Sequence, residues 1–287
     1  MQKNILVLIA AVLLITGSVF AEAIVQFDRS YVDFDVSVIK ESYQGKLPNM
    51  GFLAADSIAQ KILAHLGADY YLDDLNPMEN SLVYKSSGND GTLTLDKVTG
   101  DIFFHKGMEI YGNGSTPNLP TEKQAPALAR KHLKALGLLK NGMVLNEVNV
   151  FKQASFDGQT SEIQEKMVMV TFKRKLGGYT VFGASRVIVL LGTNGELDGV
   201  LVRWADAEKV KASGIKKNLR DHLSDKIKTK QENSYSVLVK KSELVLFDDG
   251  QGVIEPALFV QGEVTENGMT FNCDWMVPVL ENPKAKY

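Results

Sequence analysis

The sequence predicts an α+β fold of two or three small units, each a helix packed on an antiparallel sheet. Two observations predict it. A segment of helical period is followed by short alternating strands, and this succession occurs three times along 287 residues. The stretch Val170 to Trp204 reads as three strands joined by Gly177-Gly178 and Asn194-Gly195, with apolar residues at alternate positions.

In chain order, Ile24 to Glu41 alternates Val32, Phe34, Val36 and Val38 with polar residues and reads as a strand. The segment Gly45 to Gly51, with Pro48, breaks that pattern. A helix follows from Leu53 to Leu66, where Ile58, Ile62, Leu63 and Leu66 keep helical spacing and Gly67 ends the run. Strands are expected at Ser81 to Lys85, Thr92 to Asp96 and Ile102 to His105. The second helix runs from an N-cap at Thr121 to Leu136, with Pro126 restricting its first turns or moving its start later. Strands then span Glu147 to Ser155, Glu165 to Leu176, Ser185 to Leu191 and Glu196 to Trp204. Val187 to Leu191 is apolar on both faces, as in a central strand. A third helix, Lys217 to Lys228, precedes strands at Glu243 to Phe247, Pro256 to Val264 and Trp275 to Leu280. The boundaries read as 22–115, 116–210 and 211–287, with a continuous 116–287 domain as the alternative. The linker-like stretch is Gly112 to Pro120, and a charged segment runs from Asp206 to Lys217.

Composition narrows the function classes. The chain is 45% hydrophobic and 23% charged, with a formal charge of −2, so no basic field favours nucleic acid. Lys3, the apolar run Ile5 to Ile15 and the small residues up to Ala21 form a signal peptide covering residues 1–21. The mature chain is therefore expected to be exported, to the periplasm, the medium or the cell surface, with no stable membrane anchor after cleavage. Cys273 is the only cysteine, which excludes an internal disulfide and leaves an intermolecular one open.

No motif nominates a catalytic residue. His65, His105, His132 and His222 are scattered without metal-ligand spacing, so no metal and no cofactor is expected. The acidic groups Asp73-Asp74 with Asn76 and Glu79, and Asp248-Asp249 with Glu255, lack the order of a calcium loop and read as turn residues. There is no Gly-x-Ser-x-Gly elbow, and carboxylates are too frequent to single out a hydrolytic pair. Tyr179, Val181 and Phe182 follow two glycines where a partner strand or side chain can dock. They are the candidate partner-binding residues, although aromatic residues beside glycine also fill corners of a core.

The run KLGGYTVFGASRVIVLLGTNGELDGVL (175–201) resembles the propeptide region of thermolysin-type and fungalysin-type secreted metallopeptidases, which couples an FTP module to a PepSY module. TEKQAPALARKHLKALGLL is similar to the helix that opens a PepSY unit. SELVLFDDGQGVIEPALFVQGEV and CDWMVPVL are similar to its closing strands. The resemblance covers Pro120 to Leu280, with Leu53 to Lys106 as a further divergent unit. It implies a PepSY- or cystatin-like arrangement and a propeptide-like, non-enzymatic binding protein. Such a protein inhibits or assists the folding of a secreted or envelope peptidase. The sequence has no HExxH, so the modules are expected without a peptidase domain, and no functional residue transfers. Two alternatives stand beside this reading: a structural or assembly protein of the envelope, and a hydrolase whose carboxylates converge only in space.

Overall fold

The computed structural model describes residues 24–29, 31, 39, 41–67, 69–73, 79–88, 91–107, 114–156, 161–212, 214–216, 218–228 and 235–287. The predicted signal peptide, most of the predicted strand after Phe27, Asp74, Asn76, Gly112 and Asn113 lie outside these residues. Fourteen strands and three α-helices occur among the described residues, with 54% in strand and 17% in helix. The strands form a mixed sheet, and this overturns the expectation of small helix-on-antiparallel-sheet units. The backbone contacts divide the chain into two units. Unit 1 comprises 1–36, 216–243 and 258–277; unit 2 comprises 37–215, 244–257 and 278–287.

Unit 2 contains β2 (Glu41–Lys46), α1 (Phe52–Leu66), β3 (Tyr70–Leu72), β4 (Ser81–Ser86), β5 (Gly91–Asp96) and β6 (Ile102–Lys106). After these come α2 (Ala125–Ala135), β7 (Met143–Phe156), β8 (Ser161–Leu176), β9 (Tyr179–Leu191), β10 (Leu197–Arg203) and β11 (Asp206–Lys211). The decisive ladder is β6 with β10, in which Phe104 faces Val200 and Ile102 faces Val202. It joins strands from the first two predicted units into one sheet over one core. Ala55, Ala59 and Ile62 of α1 and Ala125, Ala129 and Leu133 of α2 bury against that same core. Alternation along a strand reports which side chains share a face and says nothing about which distant strand lies beside it.

Local signals explain the helix limits. α1 stops at Gly67, whose φ of 72° is left-handed and costs glycine little. α2 starts only at Ala125, with Pro126 in its first turn, where a missing N–H is harmless. Three strands, β2, β3 and β11, escaped the alternation pattern. β11 lies in the charged segment and pairs antiparallel with β2. β2 carries Gly45 because the backbone of Gly252 passes there, and a Cβ on Gly45 would sit 2.9 Å from the Gly252 Cα.

In unit 1, β1 (Ile24–Phe27) pairs in parallel with residues 236–239 of β12 (Ser236–Asp248). α3 (Leu219–Lys228) buries Leu223 and Ile227, four residues apart and one helical turn from each other. Its C-terminal end is held by the Tyr235 hydroxyl, which donates to the Ile227 carbonyl at 2.8 Å. Residues 258–266 of β13 (Val253–Glu266) and residues 269–277 of β14 (Met269–Pro278) complete it, with Cys273 half-buried on β14.

Candidate functional site

The site grows from a bend in β9. The β8–β9 ladder runs regularly until Lys173 faces Arg186, and then Arg174 faces Val181, so residues 182–185 leave the ladder. Gly183, with φ of 90°, makes this detour. Residues 181–183 pair instead with 246–248 of β12, in parallel. A glycine inside a strand pattern signals such a bulge, and VFGAS (181–185) carried that signal.

The bend carries Ala184 and Ser185 toward a cleft of about 190 Å³ in unit 2. Four connections wall it: the end of β2, the β5–β6 turn with Thr99 and Asp101, the end of β10 with Arg203 and Trp204, and the β12–β13 turn from Asp248 to Gly252. Asp248 is buried, and its two oxygens accept the Ser185 hydroxyl and the Gly250 N–H, the latter at 2.9 Å. One oxygen of Asp249 accepts the N–H groups of Gln251 at 2.7 Å and Val253 at 3.2 Å. Asp101 pairs with the Arg203 Nε at 3.2 Å. The buried guanidinium of Arg174 donates to the Ala205 carbonyl at 2.6 Å and lies 5.1 Å from the Trp204 ring centre, behind the cleft wall.

The electrostatics follow from this arrangement. Burial lowers the Arg174 pKa, while Asp248 and Asp206 pull it upward. Burial pushes the Asp101 carboxyl above its ordinary value; Arg203 opposes the shift, and Asp96 and Asp248 add to it. With Arg203 set against Asp101 and Arg174 against Asp248, Asp249 leaves the cleft net negative. A raised carboxyl pKa means that ionisation opposes folding. Asp101 therefore stabilises the fold fully only below its unfolded pKa of about 4, and loses that contribution as pH rises through its folded value. Asp101→Asn should match the wild-type melting temperature near pH 3 and exceed it at pH 7. Thermal scans across that range check the sign.

The three residues singled out from the sequence lie at the other end of the bend and do not converge. Val181 is fully buried with Tyr43, Leu246 and Ile254, in a corner of the core. Phe182 is half-buried, with the Lys173 ammonium 4.0 Å from its ring centre. Tyr179 is half-buried and, with Glu41, lines a separate cavity of about 180 Å³ among Ile39, Leu244, Leu246 and Pro256. Of the acidic groups, Asp73 forms an ion pair with Lys85 at 2.7 Å. Asp248 and Asp249 both line the cleft, whereas Glu255 lies outside it and accepts from residues 284 and 285. The signal of the aspartate pair was the DDGQG turn (248–252); nothing in sequence marked Asp101 or Arg203 as their neighbours.

A second surface is the outer edge of β7. Among the described residues this strand pairs only with β8, through thirteen of its fourteen residues, and Leu145 and Phe151 are exposed on it. An open edge of that length is a template for an added strand.

No family model and no curated protein matches the sequence. Among solved structures, the chain is similar to an uncharacterized protein from Eubacterium rectale, with a TM-score of 0.49, 10% identity, and coverage of 92% of this chain and 91% of that one. It is also distantly similar to the C-terminal domain of Bacillus megaterium YpeB, with a TM-score of 0.41, 13% identity, and coverage of 81% and 94%.

Proposed function

We propose that the chain is an exported, non-enzymatic binding protein that docks a partner at the acidic cleft of unit 2. One observation carries the reading. The carboxylates at the cleft are engaged as hydrogen-bond acceptors: Asp248 from Ser185 and Gly250, Asp249 from Gln251 and Val253, and Asp101 from Arg203. Such donors fix the orientation of the carboxylates, as a preformed polar docking surface requires. Their residual negative field suits a lysine or arginine side chain entering from a partner. The propeptide-like run at 175–201 makes a secreted or envelope peptidase the partner of choice, inhibited by occlusion or assisted in folding.

The experiment immobilises residues 22–287 and captures from the secreted and envelope fraction, with wild type and Asp101→Lys side by side. A peptidase retained by the wild type and lost with Asp101→Lys is the expected result. A peptidase retained equally by both contradicts the cleft. Retention of the chain by itself favours the second reading, an assembly protein that adds strands at the open β7 edge.

A further inference from the structure

Residues 284–287 lie across unit 2 without any strand ladder of their own; before them, Leu280 forms a single bridge with Ile215. What holds them is a seat formed by Phe247, Asp249, Glu255 and Pro256. Glu255 is a buried carboxylate, 5% exposed, and one of its oxygens accepts two successive main-chain N–H groups, from Lys284 at 2.9 Å and Ala285 at 3.1 Å. Asp249 accepts the Lys286 N–H at 3.4 Å. The Tyr287 ring stacks on Phe247 at 4.6 Å and 20°, and its hydroxyl donates to the Pro256 carbonyl at 3.5 Å. Burial beside Glu255 and Asp249 pushes that hydroxyl's pKa up.

We propose that this seat is a docking site for an extended basic segment of a partner, and that residues 284–287 are its resident, displaceable occupant. The proposal rests on the reading of the chain as a binding protein and names the chemistry it recognises. Three features select the occupant. Carboxylates that accept main-chain N–H groups read extended backbone, whatever its side chains. The small, buried Ala285 and the stacked Tyr287 fix the register, with an aromatic residue two positions after a small one. Lys284 and Lys286 flank the buried Ala285 and stay exposed, and the groups that take their main-chain N–H groups, Glu255 and Asp249, are acidic, so the segment and its acceptors carry opposite charge; Lys211 is the cation beside Glu255. A tethered occupant competes at high effective concentration, so a segment supplied from outside binds well only when the tethered one is weakened.

The test uses the full chain and a capped, fluorescent peptide of residues 282–287, NPKAKY, followed by anisotropy. Tyr287→Ala removes the stacking anchor of the resident segment and leaves the seat intact. The peptide is expected to bind the Tyr287→Ala chain at least about tenfold more tightly than wild type, because the tethered competitor is weakened. Adding Glu255→Leu should abolish that gain, since a hydrocarbon side chain offers no acceptor for the two main-chain N–H groups. Equal affinity for wild type and Tyr287→Ala overturns the proposal, as does no binding to a Tyr287→Ala chain of native circular dichroism. Failure here leaves the cleft untouched, because capture through Asp101 is read separately. Peptide binding combined with partner capture that ignores Asp101→Lys would keep the seat and sink the cleft.

Discussion

Replacing Gly183 with alanine is expected to destabilise the chain by about 3 kcal/mol or more, a large effect for the addition of one methyl group. Gly183 has φ of 90°, which an L-residue adopts only with strain. A Cβ there would lie 2.1 Å from the Asp248 carbonyl oxygen, a main-chain atom in the β9–β12 pairing. Neither partner has a flexible side-chain end to move, so the strands must separate. That separation also withdraws Ser185 from Asp248 and opens the cleft wall. Urea unfolding followed by tryptophan fluorescence measures the loss. A change under about 1 kcal/mol, typical of an unconstrained surface position, would contradict the geometry.

The second large effect is at Phe104. Its side chain is 1% exposed in the core that both α1 and α2 cover, and Phe104→Ala should cost about 3–5 kcal/mol. The informative part is which residues respond. Because Phe104 faces Val200 across the β6–β10 ladder, the loss should reach Trp204, just past the end of β10. With Trp275→Phe as background, Trp204 fluorescence and far-UV circular dichroism should shift together to lower urea. If strands 91–106 formed a small unit of their own, Trp204 would keep its wild-type midpoint.

These two residues also mark what was legible in the sequence and what was not. The three helices, and most strands to within a few residues, follow from periodicity and from stops such as Gly67 and Gly137, because those signals are local. Phe104 was legible as an inward residue, but its partner Val200 was not, since alternation is identical for every sheet in which a strand is placed. The parallel pairing of 181–183 with 246–248 was hidden for the same reason, and with it the mixed sheet. Gly183 announced a bulge without saying what it avoids. At the site, the acidic DDGQG turn was visible as a turn, and its carboxylates do accept the following N–H groups. Asp101 of the β5–β6 turn and Arg203 at the end of β10 reach the same cleft from about a hundred residues apart, which no spacing rule encodes.

The most direct test of the central claim, that the cleft binds rather than reacts, is calorimetric titration of the captured partner into wild-type, Asp101→Asn and Asp101→Lys chains at low ionic strength. The account predicts Kd rising in that order, with Asp101→Lys at least about tenfold weaker and all three unfolding as cooperatively as the wild type. Equal Kd values for the three folded chains would contradict it and move the partner to another surface.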